Sequence, residues 1–252
     1  MQSGTQIHMN FKKYRVLILT GSNPRHLFFV STLAKFFKIE AFISENKNMH
    51  FSANDGINSV VKKHILDLAS YEKLYFKTCK KIFNKYQNLS IEEGEINSQF
   101  VIEWSKIIDY DFIAVFGPGI LKDIWFKNQS KPIINLHLGL SPVYRGSATL
   151  FWPFFNEDLD NLGTTIHLVD AGVDTGPIID TIKLINHSNQ NYYQITNRLI
   201  KKSIKKYPKI VKKYLRGKIT SKPQDKSKQK YYYKKSDLTD SKLKKVIEKY
   251  GE

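Results

Sequence analysis

The chain has 252 residues, 41% hydrophobic and 13% aromatic, which is ample material for a buried core and excludes wholesale disorder. It carries 40 Lys+Arg against 23 Asp+Glu, a formal charge of +17, so anionic partners come into view at once. Its one cysteine, Cys79, excludes an internal disulfide, and no apolar run approaches the ~18 residues of a membrane span.

The first ten residues (MQSGTQIHMN) lack the charged start and apolar core of a secretory signal, which points to a cytoplasmic protein. Residues 1–13 read as an N-terminal extension, with Met9 as an alternative start. Tyr14 to Thr20 (YRVLILT) is a short, apolar, β-branched run that ends in Gly21-Ser22-Asn23-Pro24. A helical pattern follows, with apolar Leu27, Val30, Leu33, Ala34 and Phe37, and then a second strand, Ile39 to Ser44. Strand, turn, helix and strand in that order predict a βαβ unit and a parallel sheet buried on both faces. Asn46 to Asn58 is polar and loop-like. Helical stretches are expected over Ser59 to Tyr86 and Asn97 to Ile108, with a polar interruption near Glu92-Glu93-Gly94.

Asp111 to Phe116 (DFIAVF) is another buried strand, stopped by Gly117-Pro118-Gly119. A short helix and Pro132 lead into Ile133 to His137 (IINLH). Ser147 to Asn156 has a helical pattern interrupted by Pro153. Thr164 to Val169 and Ile178 to Ile185 are the last strands, and Asn191 to Leu215 is helical, with Pro208 expected to kink or end it. The expectation is an α/β, Rossmann-like, open and mostly parallel sheet with flanking helices over residues 14–216. A short basic C-terminal extension, 217–252, completes it. From Arg198 onward there are 20 basic and 5 acidic residues, whereas the first 197 residues hold 20 and 18. Such a segment suits nucleic acid or an anionic membrane surface. It is also what a lysine-biased composition produces, since Lys outnumbers Arg 35 to 5.

The chemistry is expected in the loops beyond the strand ends. The amides of Gly21, Ser22 and Asn23, at a helix start, suit an anionic group; a plain turn with a capping residue has the same look. Gly117-Pro118-Gly119 allows a flat ligand to approach the backbone, or is simply a turn. Strand alternation puts Asn135 and His137 on one face. A lone strand histidine is usually structural, but an amide two residues away, followed by Pro142, Tyr144, Arg145 and Gly146, argues for a site. Asp174 lies in an acidic, glycine-rich loop that lacks calcium-loop spacing; its bland alternative is a solvated turn. No zinc pattern, phosphate-binding P-loop or serine-hydrolase elbow is present, and no metal is expected.

The stretch Ile134-Asn135-Leu136-His137-Leu138-Gly139-Leu140-Ser141-Pro142-Val143-Tyr144-Arg145-Gly146 resembles the signature of the folate-dependent formyltransferases. Gly163-Thr164-Thr165-Ile166-His167 and Asp170-Ala171-Gly172-Val173-Asp174-Thr175-Gly176 are similar to that family's downstream motif. The resemblance implies 10-formyltetrahydrofolate as co-substrate and a catalytic trio of Asn135, His137 and Asp174. It implies a pterin held by Gly117, Pro118, Gly119, Ile120 and Leu121 and by Val169, Asp170, Ala171 and Gly172, mostly through backbone. The residue types agree with the chemistry. An amine attacking a formyl carbon builds an oxyanion that needs donors, and its own proton needs a carboxylate.

The acceptor amine is less sharply marked. Gly21-Ser22-Asn23 resembles the phosphate-binding end of glycinamide ribonucleotide formyltransferases, though Leu19-Thr20 stands where those enzymes carry another glycine. Gly217-Lys218-Ile219-Thr220 and Pro223-Gln224-Asp225 resemble the segment after the catalytic domain in the tRNA and sugar enzymes. Lys230 to Asp237 (KYYYKKSD) is similar to formyltransferases of surface-polysaccharide synthesis. A nucleotide-linked amino sugar is therefore the expected acceptor, with Tyr144 and Arg145 shaping its pocket or packing the loop. The alternative is glycinamide ribonucleotide, in purine synthesis. Methionyl-tRNA is disfavoured because too few residues follow Asp225 for that enzyme's C-terminal barrel. A formyltetrahydrofolate hydrolase and an inactive nucleic-acid-binding protein are lesser readings, the latter drawn from the interleaved Tyr and Lys of 226–235. An apolar Phe151-Trp152 patch is offered to an oligomer interface or to the acceptor.

Overall fold

The first apolar run forms strand β1 (Arg15–Gly21), in which Val16 to Leu19 are wholly buried. The computed structural model describes residues 14–46, 59–77, 82–127, 130–184 and 189–251. The expected N-terminal extension, Met9, the loop over 47–58 and Cys79 lie outside the described residues. Helix α1 (Pro24–Leu33) begins at a proline, whose missing N–H has no partner to lose in a first turn. It returns the chain to β2 (Lys38–Asn46), parallel to β1. The stretch expected to be helical to Tyr86 contains α2 (Ser59–Tyr75) and the single turn α3 (Ile82–Lys85).

Strand β3 (Gln87–Glu92) corrects the sequence reading, which placed no strand there. Its residues QNLSIE form no apolar run because β3 is an edge strand with one neighbour, and only its parallel pairing with β2 makes it a strand. A 3₁₀ turn at Glu95–Asn97 leads to α4 (Gln99–Lys106), capped by the Ser98 hydroxyl. Then follow β4 (Phe112–Phe116), α5 (Asp123–Lys127), β5 (Ile133–His137) and β6 (Tyr144–Gly146). The helix expected over Ser147 to Asn156 shrinks to α6 (Trp152–Phe155), since Pro153 cannot donate to a preceding turn. Strands β7 (Gly163–Leu168) and β8 (Ile178–Lys183) and the long helix α7 (Tyr192–Leu215) complete the main body.

The sheet order is β3-β2-β1-β4-β5-β7-β8. The first five strands are parallel, and β7 and β8 run antiparallel to their neighbours. One core, with Ile18, Phe29, Ile134, Leu199 and Ile204, packs under α1 and α7; a second, with Leu17, Val101, Ile113 and Trp125, packs under α4 and α5. Pro208 does not end α7. Its lost hydrogen bond costs about 3 kcal/mol, but buried Tyr207, Ile210 and Val211 continue the apolar stripe past it and outweigh that cost.

The basic C-terminal segment folds back onto this body. Strand β9 (Tyr231–Tyr233) pairs in parallel with β6, and helix α8 (Asp240–Tyr250) buries Leu243, Val246 and Ile247. Phe151 and Trp152 form no surface patch: both are buried, and Trp152 stacks on Tyr233 at 3.8 Å. No helix among the described residues is long and apolar enough to cross a membrane.

Candidate functional site

Alternation along β5 sends Ile134 and Leu136 into the core under α7 and turns Asn135 and His137 to the other face. The antiparallel register sets His167 of β7 directly opposite Asn135. The loop after β7 brings Asp174 against them, at a left-handed φ of 53° that Asp tolerates better than most residues. The three residues singled out in the sequence are thus gathered, with His167 as a fourth.

His137 is buried; its Nδ1 lies 3.2 Å from Asp174 Oδ1 and its Nε2 lies 3.1 Å from the Tyr144 carbonyl. His167 Nδ1–H donates to the Leu168 carbonyl at 2.7 Å, so in the neutral ring Nε2 accepts the Asn135 amide at 3.1 Å. The same Nε2 is 3.6 Å from Asp174 Oδ1. Asn135 has two amide protons, and one is committed to His167. Asp174 Oδ2 accepts from the Gly146 amide at 3.0 Å. Burial by itself pushes the Asp174 carboxyl up, but the surrounding groups, His137 first and the Gly146 amide with it, outweigh burial and bring it down to about 2. Burial likewise pulls His137 below the ordinary imidazole range, and Asp174 restores only part of the difference.

The Asp174 loop is held from outside by a residue the sequence reading left without a role. Gln224, in the C-terminal segment, donates to the carbonyls of Asp174 and Gly176, each at 2.8 Å. Within the loop, Asp170 accepts from Gly172 N at 3.1 Å and from the Thr175 hydroxyl at 2.6 Å, so its carboxylate closes its own turn. Gly176 is obligatory, because a Cβ there would collide with the Leu168 carbonyl. Val169 N donates to Ile133 O, and Ala171 and Gly172 are exposed at the tip.

Gly117 to Leu121 leave the end of β4, the strand beside β5. Ile120 is 63% exposed, while Leu121 is buried. Gly119 N is bound to the carboxylate of Glu45. At the neighbouring end of β1, His26 fills the space that side chains on Gly21 and Gly117 would need. Its Nδ1 accepts from Asn23 N at 3.3 Å. Just beyond, Glu72 accepts from Arg25 N and from the Arg25 guanidinium, each at 3.0 Å. The α1 N-terminus therefore already has an imidazole and a carboxylate where the sequence suggested an anionic ligand.

Tyr144 is buried, stacked on Tyr231 at 4.9 Å, with its hydroxyl donating to Asp158; burial raises its pKa. Arg145 lies opposite Tyr232 in the β6–β9 pair, its guanidinium 5.8 Å from the centre of that ring, and Tyr232 is 46% exposed. Arg145 Nε is buried without a hydrogen-bond partner among the described residues. Of the residues missed, His167 was legible as the cross-strand partner of Asn135 only once the register was known. Gln224 stood out only as part of the Pro223-Gln224-Asp225 stretch, with no role attached, and His26 carried no local signal.

Residues 87–211 match the family described as Formyl transferase. A methionyl-tRNA formyltransferase of a Synechococcus species is 33% identical over 120 residues, covering 48% of this chain and 37% of that one. The phosphoribosylglycinamide formyltransferase of Bacillus subtilis is 28% identical over 131 residues, covering 52% of this chain and 67% of the relative. The match thus spans little more than a third of the first relative and about two thirds of the second. Among solved structures, a sugar N-formyltransferase from a Shewanella species aligns with a TM-score of 0.58 at 16% identity, over 89% of this chain and 78% of that one. A sugar 3N-formyl transferase solved with dTDP and 5-N-formyl-THF gives 0.58 and 16%, over 90% and 72%. The fold is shared across nearly the whole length, and the motifs lie within residues 87–211, the span that matches the formyl transferase family.

Proposed function

We propose that the chain transfers the formyl group of 10-formyltetrahydrofolate to the amino group of a nucleotide-linked amino sugar. The observation that carries formyl transfer is the convergence of Asn135, His137 and Asp174 on one face, in the family's motif order. The remaining Asn135 N–H donates to the oxyanion that develops on the formyl oxygen as the amine adds. His137 faces the same space as a second electrostatic partner. Asp174, fully ionised at neutral pH, takes the proton that the attacking amine must shed, directly or through a water, and its charge steadies a protonated His137; as the C–N bond breaks, the leaving nitrogen takes the electron pair and a proton in place of the one the amine shed, and departs as tetrahydrofolate. The folate supplies the formyl carbon. The exposed Ile120 and the glycine-rich backbone around it suit its flat ring, with Val169 to Gly172 as the second wall.

Two observations favour a sugar nucleotide over glycinamide ribonucleotide. The amides of Asn23 and Arg25 at the start of α1 are engaged by His26 and Glu72, and a phosphate there would meet the Glu72 carboxylate. Arg145 beside an exposed Tyr232, one residue from the Gly146–Asp174 bond, pairs a cation with an aromatic face, as a nucleoside diphosphate requires. The structural neighbours named as sugar N-formyltransferases support the same choice. The glycinamide ribonucleotide reading remains as the second, on the strength of the Bacillus subtilis relative. The test supplies 10-formyltetrahydrofolate with dTDP- and UDP-linked amino sugars, glycinamide ribonucleotide, methionyl-tRNA and no acceptor, and follows tetrahydrofolate release and formylated product. Turnover only with glycinamide ribonucleotide would replace the acceptor assignment. Acceptor-independent release would indicate a hydrolase, and no turnover at all would reject the enzyme reading.

A further inference from the structure

Glu45 is a buried carboxylate that the proposed chemistry does not use. It stands one residue from the end of β2, opposite Gly21 of β1 and Ile91 of β3, and is 1% exposed. Withdrawing a carboxylate from water is expensive unless hydrogen bonds replace the lost hydration. Here two backbone amides do so: Oε1 accepts from Gly94 N at 2.9 Å and Oε2 accepts from Gly119 N. Hydrogen bonds of this charge-assisted kind are roughly twice as strong as neutral ones.

The two amides belong to separate segments. Gly94 makes the turn after β3 at φ 93°, and Gly119 sits in the middle of the loop after β4. Further contacts join the same segments. The Asn97 side chain donates to Ile120 O at 2.9 Å and accepts from Lys122 N at 2.8 Å, and Trp125 Nε1 donates to Ile96 O at 2.9 Å. Gly119 is fitted closely to the carboxylate, since a Cβ on it would stand 3.2 Å from Glu45 Oε1. In a trans peptide the N–H and C=O lie on opposite edges of the plane. Holding the Gly119 N–H on Glu45 therefore holds the Pro118 carbonyl on the far edge of the same peptide.

We propose that Glu45 is the positioning residue of the folate loop: it locks the Pro118–Gly119 peptide so that the Pro118 carbonyl is a fixed acceptor for the amino-bearing edge of a flat heterocycle. The inference rests on the folate reading of Gly117–Leu121 given above. Glu45 acts through the loop and touches neither the formyl group nor the amine.

The first test needs no variant. Amide hydrogen exchange of the folate-free protein is expected to show Gly94 and Gly119 protected although both lie in loops. Exchange of Gly119 at the rate of an open loop would overturn the proposal. The second test is Glu45→Gln, which turns an NH₂ donor toward one of the two amides and frees that peptide. The KM for 10-formyltetrahydrofolate and the Kd of tetrahydrofolate are expected to rise about tenfold, while kcat and the acceptor KM stay within about twofold. Unchanged folate affinity, or equal losses toward folate and acceptor, would overturn it. If Glu45→Gln does not fold, the exchange measurement decides. A wild-type protein that transfers no formyl group would sink the functional reading and leave the exchange result standing, so the two failures are distinguishable.

Discussion

Replacing Asp174 by Asn keeps the shape of the side chain and an acceptor for the Gly146 amide, and removes only the charge. In the folded protein this carboxyl titrates at about 2, against an ordinary 3.8. The difference is a little under two pKa units, worth about 2 kcal/mol at ~1.36 kcal/mol per unit. Because the folded value is depressed, the unfolded chain takes up the proton first as the solution is acidified. The contribution is complete above the unfolded value and is lost as pH falls through the folded one. Asp174→Asn is thus expected to be about 2 kcal/mol less stable than wild type in urea unfolding near neutral pH. The two proteins should converge as pH approaches that of the folded titration. In the formyl-transfer assay, losing the proton acceptor should cost roughly 10²–10⁴ in kcat. Equal stability at neutral pH would refute the electrostatic account of the His137–Asp174–His167 cluster. Full turnover would remove Asp174 from the proton transfer.

Gln224→Ala removes both donors that hold the Asp174 loop and is expected to cost about 2 kcal/mol, read as a lowered thermal midpoint together with a lower kcat. His64 is buried beside the Tyr193 hydroxyl at 2.9 Å, and burial drops its pKa from 6.5 to about 4. Across that interval the unfolded chain binds a proton the folded one refuses, so stability falls with acidification by about 3 kcal/mol. In His64→Gln that pH dependence should disappear from urea titrations over the same window. Leu243→Ala in α8 is expected to cost about 2–5 kcal/mol in urea unfolding, because Leu243 is wholly buried. A silent substitution there would mean that the C-terminal helix does not share the core.

The alternating and helical periods of the chain announced most of the sheet and its helices, since burial on two faces leaves long apolar runs such as Leu17 to Leu19 and Phe112 to Phe116. The polar edge strand β3 escaped notice because an edge strand is defined by its neighbour's hydrogen bonds and not by its own side chains. Local propensity has Pro208 kink or end α7, because it knows nothing of the core on which the helix lies. The short helix at Trp152 was over-read because apolar aromatics in a loop-packed cluster mimic helical spacing. In the candidate site, the pairing of Asn135 with His137 was legible from a two-residue period, and Asp174 from its motif.

The sequence by itself determined the fold class, the two motifs and the concentration of charge after Arg198, because each depends on neighbours within a few residues. Only the tertiary structure decided what surrounds them. Register across β5 and β7 put His167 against Asn135, and return of the basic segment put Gln224 on the Asp174 loop and Tyr232 beside Arg145. Packing of α1 against α2 set Glu72 on the amide of Arg25, just past the Gly21-Ser22-Asn23 turn whose residues suit an anionic group or a plain capped turn alike. Those contacts join residues dozens of positions apart, and no local pattern encodes a partner at that distance.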